Sequence, residues 1–217
     1  MRSLSIALTS LSFVFSSISL ANTPSLPSVR EELLAHQGTS FERLIKKWEA
    51  NSEREELSNQ LITLSKDSSL GDASRYIALQ GAARLIGKPG KPVQMNQFEG
   101  LARDPSWMIR SGALKALEVT DTERASRVAA VLLGDPAFVV RLEAMSSLEK
   151  LRPTGSQIEL SLLNAAEDPR NWRNSQPLQI PTRAIHLLAL LRKRPLSGSQ
   201  NLKQEIASLR AEMAPSH

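Results

Sequence analysis

Acidic pairs are the first groups in this 217-residue chain whose spacing could support catalysis, because two nearby carboxylates can act as general acid and general base. Two such pairs, Glu31-Glu32 and Glu55-Glu56, lie in polar stretches with a helical pattern, so we expect them to be solvated helix faces. No serine stands in a nucleophile-elbow motif. The chain has no cysteine and three histidines, His36, His186 and His217. We therefore predict no catalytic residue, no metal site and no cofactor.

The segment RNWRNSQPLQIPT, residues 170–182, has side chains better suited to binding than to catalysis. Arg170, Trp172 and Arg173 stand close together, and Trp and Arg are enriched at the energetic centres of protein interfaces. The prolines favour an extended loop over a strand, and loops on a rigid scaffold often hold functional residues. We predict these three residues as partner-binding candidates. The alternative is a loop whose Trp172 packs beneath a neighbouring element.

The composition favours a folded helical protein with a basic balance. Hydrophobic residues make up 41% of the chain and aromatic residues only 4%, which favours helices packed through small and aliphatic side chains. The formal net charge is +5. A basic chain suits an acidic partner, whether protein, nucleic acid, lipid or glycan, although a modest surplus of Lys and Arg is also ordinary.

The first 21 residues, MRSLSIALTSLSFVFSSISLA, have the order of a secretory leader. Arg2 precedes an apolar, serine-rich stretch that ends in Ser19-Leu20-Ala21, so we predict a signal peptide over 1–21 and a periplasmic or secreted protein. An uncleaved anchor is the alternative, but the stretch is short for a span of about 20 apolar residues. Export argues against nucleic acid as the partner, and we expect no membrane span after cleavage. Residues 22–28 are predicted as a flexible lead-in.

Helical patterns dominate the rest of the chain. Val29–Ala35, Phe41–Ala50 and Glu53–Leu64 each have apolar residues spaced by three and four, and no run of alternating β-branched residues competes with them. We predict N-terminal helices or a cap over 29–70. Leu202, Ile206, Leu209 and Met213 line one side of a further helix, which we predict as a C-terminal cap within 196–217.

A repeat occupies the middle of the chain. DPSWMIRSGALKAL starts at Asp104, and DPAFVVRLEAMSSL starts at Asp135. A third copy starts at Asp168, is interrupted by residues 170–182 and resumes at Arg183, while a weaker copy surrounds Arg75. A period near 30 residues with two helices per unit is typical of stacked α-solenoids, because one helical hairpin cannot bury its apolar stripe alone.

The repeated residues resemble the HEAT repeat family, and most closely its short bacterial, PBS lyase-type members. The resemblance covers residues 71–195 and rests on Asp104, Pro105, Ile109, Arg110, Ala113 and Leu117, and on Asp135, Pro136, Val140, Arg141, Ala144 and Leu148. It implies an all-α fold, a right-handed α-α superhelix of antiparallel helix pairs. HEAT-like proteins mostly bind other proteins. A minority are enzymes, among them DNA glycosylases and bilin lyases, and the chain shows no motif of either activity.

The resemblance also implies roles for the repeated charges. Asp104, Arg110, Asp135, Arg141 and Asp168 are expected to form a structural Asp–Arg ladder that fixes the stacking of neighbouring repeats. Arg75 and Arg183 have less certain acidic partners, and we therefore add them to the partner-binding candidates. Trp107 and Phe138 occupy equivalent positions and are expected to pack between units.

These observations predict an exported, non-catalytic scaffold or adaptor. It would bind another envelope or extracellular protein, acidic in its contact patch, through a HEAT-like surface. The alternative is a nucleic-acid-binding or DNA glycosylase-like HEAT protein, which the basic charge favours and the leader opposes. An inhibitor or immunity-type protein would differ from the first prediction only in its partner. The residues specify no oligomeric state.

Overall fold

A computed structural model describes residues 25–35, 41–196 and 201–213. The predicted signal peptide, residues 22–24 of the predicted lead-in, His36 and His217 lie outside these ranges, whereas residues 26–28 of that lead-in form the first turn of a helix and are not a flexible segment. The described residues are mostly helical, which confirms the all-α prediction. Their helices are α1 (Leu26–Ala35), α2 (Phe41–Glu49), α3 (Arg54–Lys66), α4 (Asp72–Ile86), α5 (Pro92–Leu101), α6 (Trp107–Thr120), α7 (Thr122–Leu132), α8 (Phe138–Leu151), α9 (Ser156–Glu167), α10 (Gln179–Leu191) and α11 (Leu202–Met213).

Eight of these helices pack as four consecutive pairs. The pairs are α3–α4, α5–α6, α7–α8 and α9–α10. The first helices of neighbouring pairs contact one another, as do the second helices α4, α6, α8 and α10. One continuous hydrophobic core joins the pairs, and the repeated positions Ile109, Val140 and Ile180 are all fully buried in it. Each pair therefore covers apolar surface of the next, as the repeat in the sequence predicts.

Helices at both ends of the chain pack on the outermost pairs. α1 and α2 contact α4, and α11 contacts α9 and α10. Ile206 and Leu209 of α11 are buried against the core. The boundary expected at residue 71 runs through the α3–α4 pair, because α3 belongs to residues 29–70 and α4 to residues 71–195.

Glycines allow the second helices to approach closely. A Cβ atom at Gly112 of α6 would lie 2.7 Å from the Tyr76 ring of α4, and one at Gly81 would lie 2.5 Å from the Trp48 ring of α2. Larger side chains at these two positions would force the helices apart. The sequence therefore sets the short spacing along the row from α2 through α4 to α6.

The connection inside the last pair differs from the earlier ones. Residues 102–106 and 133–137 join α5 to α6 and α7 to α8, whereas the eleven residues 168–178 join α9 to α10. The longer segment forms a 3₁₀ turn (Pro169–Asn171) and an antiparallel hairpin of β1 (Trp172–Arg173) and β2 (Gln176–Pro177). Asn174 and Ser175 both have positive φ, as a two-residue hairpin turn of type I′ requires. The expectation of an extended loop without strands was wrong here.

None of the helices in the described ranges is long and apolar enough to cross a bilayer.

Candidate partner-binding surface

Two arginines of the repeat connect neighbouring helix pairs. Arg110 donates from Nε and Nη2 to the Asp135 carboxylate, over 2.6 and 2.8 Å, and from Nη1 to the carbonyls of Asp104 and Pro105. Arg141 donates in the same way to the carbonyls of Asp135 and Pro136. Each guanidinium thus closes the Asp-Pro turn of its own pair and reaches the turn of the next pair. We call each such arginine with its acceptor in the next pair a rung.

Arg75 forms a third rung rather than a binding site. It donates to both carboxylate oxygens of Asp104, and its Nε lies 2.9 Å from the Ser65 carbonyl. Only 6% of Arg75 is exposed. The placement of Arg75 among the partner-binding candidates is therefore corrected, because its guanidinium is buried and bonded to a bidentate carboxylate partner inside the protein.

The last rung replaces its carboxylate by an amide. Arg141 Nε donates to Asn171 Oδ1 over 2.9 Å, and Asn171 Nδ2 donates to the Ala165 carbonyl. Asp168 instead accepts from the Arg170 side chain. The expected ladder role of Asp168 is thus corrected. The extra residues of the connection bring Asn171, which is fully buried, to the place that an aspartate occupies in the earlier pairs.

A further rung precedes the repeat and was missed by the sequence analysis. Arg30 of α1 donates to Asp67 over 3.1 Å, and Asp67 accepts the Ser69 backbone N–H. Asp135 makes the same kind of bond with the Ala137 N–H. No proline follows Asp67, so the Asp-Pro pattern could not identify it. The only signal in the sequence was an aspartate followed two residues later by a serine. Aspartate favours turns in which its side chain accepts the backbone N–H two residues on.

The rungs shift the ionisation of their members. Burial would raise the pKa of Asp135, but hydrogen bonds from Arg110 and the Ala137 N–H lower that pKa below its ordinary value. The hydrogen bond to Asp135 raises the pKa of Arg110. Burial and the nearby Arg170 charge lower the pKa of Arg141, which has no carboxylate acceptor in its rung. The charged groups of the rungs therefore interact with one another across neighbouring helix pairs, which favours the stacking of those pairs.

Arg183 also has a partner inside the protein. Its Nε and Nη2 donate to Glu149 of α8, over 2.9 and 2.5 Å, and Nη2 donates to Ser146 Oγ. Burial aligns Ile180 with Val140, so Pro181, and not Arg183, takes the position of Arg141 in the last pair. The prediction that the repeat resumes at Arg183 was therefore two residues out of register. Because proline cannot donate, the ladder ends at this pair.

The hairpin holds its tryptophan against the protein. The Trp172 indole N–H donates to the Ala166 carbonyl over 2.8 Å, and the Lys203 ammonium lies 5.3 Å from the ring centroid. This arrangement matches the alternative in which the tryptophan packs beneath a neighbouring element. Arg170 is half exposed but bonded to Asp168 and to the Gly134 carbonyl. Arg173 is exposed, and its side chain has no hydrogen-bond or ion-pair partner in the described ranges.

The repeated aromatic residues do not pack between units. Trp107 is 46% exposed and Phe138 is 40% exposed, at the first residues of α6 and α8. The Arg141 guanidinium lies 5.5 Å from the centroid of the Phe138 ring. The expectation of inter-unit packing was wrong, because these positions precede the first buried turn of each second helix. Both rings are instead available at the surface.

An open groove runs between α7 and α9 on the side of the first helices. Its two parts have volumes of about 1050 and 550 Å³ and share Ala130, Val131 and Ser161 as lining residues. Small side chains on both helices leave this space unfilled. Val131 is 76% exposed, and it also lines a cavity of about 160 Å³ between α5 and α7. We call the joined space between α7 and α9 the α7 groove.

The α7 groove could not be identified from the sequence. Val131 belongs to an ordinary helical stripe in the sequence, and nothing in that stripe shows which side faces a neighbouring helix. Of the predicted partner-binding residues, Arg170 lines the groove. Among the residues that the structure describes, no group of three or more His, Asp and Glu side chains is placed to hold a metal ion.

The chain matches no model of a known protein family, no curated protein and no solved structure. The resemblance to HEAT repeats therefore stays a prediction from the repeated residues.

Proposed function

We propose that this chain is an exported, non-catalytic scaffold that binds another protein through the α7 groove. In this proposal the four helix pairs form a short right-handed solenoid of the HEAT-like kind. The bound protein belongs to the cell envelope or the extracellular space, as the leader-like residues 1–21 suggest. The rungs hold the pairs in a fixed relative arrangement, so the groove is present before the partner arrives.

The exposure of Val131 beside a groove of this size is the observation on which the proposal depends. Val131 is 76% exposed and lines cavities on both sides of α7, so a partner that enters either cavity would bury its apolar surface. Grooves lined by apolar residues with a few polar groups at the rim are typical of binding sites. Leu151, Pro153 and Ile158 provide such a lining at one end.

The balance of charges favours an acidic partner. Every described Asp and Glu from residue 71 onwards lies in an ion pair with a described Lys or Arg. Several cations have no such carboxylate: Lys88, Arg103, Arg152, Arg173, Lys193 and Lys203. The surplus positive charge of this part of the chain is thus available to a partner.

Affinity capture from the envelope fraction of the source cells tests this proposal. We expect the immobilised chain to retain a protein and the Val131→Glu variant to lose it, because a carboxylate would be desolvated in the contact. Val93→Glu is the matched control, since Val93 of α5 is 68% exposed and lines none of these cavities. Equal retention by both variants would contradict the groove as the contact site.

Binding to DNA distinguishes the alternative function. A nucleic-acid-binding protein retains labelled duplex DNA at low salt and loses it steeply as salt rises, because phosphate contacts release counterions. We expect no retention of DNA by the purified chain at low salt. Tight, salt-sensitive retention would favour the nucleic-acid-binding alternative over the proposed protein scaffold.

A further inference from the structure

The charges beside the two ends of α7 differ from those along the α7 groove. The carboxylates along the groove are already neutralised by arginines of the protein: Glu123 by Arg127, Asp168 by Arg170 and Glu167 by Arg210. A ligand along these walls would therefore meet little unbalanced negative charge.

Two unpaired guanidiniums lie beside opposite ends of α7. Arg103 follows the end of α5 and lines the cavity between α5 and α7 together with Leu132, near the end of α7. Arg152 lies between Leu151 and Pro153, which line the α7 groove with Thr122, near the start of α7. Both arginines are exposed, and neither guanidinium has a hydrogen-bond or ion-pair partner among the described residues.

The end of the α7 groove beside Arg152 has a second feature that favours negative charge. α9 begins there, and its N-cap residue Gly155 offers no side chain to the backbone N–H groups of the first turn. The N-terminal end of a helix has a partial positive charge, which adds to that of Arg152. A carboxylate is therefore better accommodated at this end than a neutral or basic group.

The length of α7 determines how long an extended peptide must be to reach both arginines. Its eleven residues span about 16 Å at the usual rise per residue. An extended chain covers that distance in about five residues. Val131 is the next-to-last residue of α7 and lies between the cavities on either side of the helix, so an apolar side chain that contacts it would lie near the Arg103 end of the segment.

We propose that an extended acidic segment of the partner protein binds along the α7 groove and crosses the end of α7. In this proposal one carboxylate lies at Arg152, an apolar residue lies against Val131, and a second carboxylate lies at Arg103 in the cavity between α5 and α7. This inference rests on the proposed function, because it specifies the part of the partner that enters the groove. The contact with Val131 supplies affinity by burying apolar surface. The two arginines select for acidic flanking residues and speed association.

Panning a phage-displayed library of random dodecapeptides on the purified chain tests the inference. We expect the enriched peptides to have acidic residues on both sides of an aliphatic or aromatic residue. A synthetic peptide of the enriched sequence should bind about tenfold more weakly to Val131→Glu and about tenfold more weakly to the double variant Arg103→Glu/Arg152→Glu. Its affinity for the wild-type chain should fall as salt rises.

The matched controls separate this effect from a change in net charge. The double variant Lys88→Glu/Lys193→Glu reverses two other unpaired, exposed cations that line none of these cavities, and it should bind the peptide within about twofold of wild type. Enrichment of basic or uncharged peptides, or no enrichment, would overturn the inference. So would an acidic peptide whose affinity is the same for wild type and for Arg103→Glu/Arg152→Glu.

Two failures remain distinguishable. If the chain captures an envelope protein in a manner that depends on Val131 but not on Arg103 or Arg152, the proposed function stands and the acidic segment is wrong. If the wild-type chain captures no envelope protein, the proposed function itself fails.

Discussion

The junctions on either side of the α7–α8 pair join helix pairs through the same kind of guanidinium but different acceptors. Before this pair, Arg110 meets the Asp135 carboxylate at a five-residue connection. After it, Arg141 meets the Asn171 amide at an eleven-residue connection. Both junctions therefore share an arginine and a buried oxygen acceptor in the next helix pair, and we infer that the stacking requires these two groups. It does not require that the acceptor be charged.

The two junctions place their remaining charges differently. Asp135 is shared between Arg110 and the turn that begins its own pair. Asp168 keeps the bond to the backbone N–H of its own turn but bonds to Arg170, beside the α7 groove. The longer connection therefore frees a carboxylate from the ladder and pairs it with Arg170 beside the α7 groove.

The largest effect is expected from breaking the charged junction. Asp135→Ala leaves the Arg110 guanidinium, whose side chain is 11% exposed, without its carboxylate. Removing one partner of a buried ion pair is costly because the other charge stays desolvated, so we expect a loss of about 3 kcal/mol in the free energy of unfolding. Urea unfolding followed by circular dichroism measures it. A loss below about 1 kcal/mol would show that the rung does not hold the pairs together.

Glu123→Ala is the control for this variant. Its ion pair with Arg127 lies on the surface of α7, where solvent screens the charges. We expect a change within about 0.5 kcal/mol.

The uncharged junction should be weakened somewhat less. Asn171→Ala removes the acceptor of Arg141 Nε and the donor to the Ala165 carbonyl, and both groups would remain buried. We expect a loss of about 2 kcal/mol by the same unfolding measurement. Arg173→Ala, two residues away on the hairpin, should be close to neutral because Arg173 is exposed. Equal stability of the two variants would mean that Asn171 does not take the part of the aspartate.

The aromatic residues offer a smaller contrast, between the eleven-residue connection and the connection from α5 to α6. Trp172→Ala removes a partly buried ring, its bond to Ala166 and its contact with Lys203, so we expect a loss of about 1.5 kcal/mol. Trp107→Ala removes a ring that is 46% exposed and should cost less than about 0.5 kcal/mol. The reverse order of the two unfolding free energies would contradict the assignment of Trp107 to the surface.

The smallest effect is a pH dependence that belongs to the charged junction alone. The folded-state pKa of Asp135 lies below the unfolded value near 3.8, so its ionised form stabilises the protein above pH 3.8 and this stabilisation is lost as pH falls through the folded pKa. The difference in unfolding free energy between wild type and Asp135→Asn should therefore shrink between pH 7 and pH 3. Asn171→Ala should differ from wild type by an amount independent of this titration.

Much of the helix pairing and of the Asp–Arg ladder was predictable from the sequence, whereas the exposed groove and aromatic residues were not. The period of the Asp-Pro segments and the spacing of Arg110 and Arg141 predicted helix pairs and two of the ladder residues that reach the next pair. Local pattern failed where the chain departs from the period, as at Asn171 and Arg183. The position of a residue in a helical stripe does not show whether another helix covers that residue. The exposure of Trp107 and the groove beside Val131 therefore became visible only in the packed structure.

Hydrogen–deuterium exchange of the chain, with and without its captured partner, tests the central claim most directly. If the α7 groove is the contact site, the partner should slow exchange in the peptides that cover α7 and residues 150–161, and leave the hairpin at residues 172–177 unchanged. Protection confined to the hairpin, or to the second helices α4, α6, α8 and α10, would contradict the account.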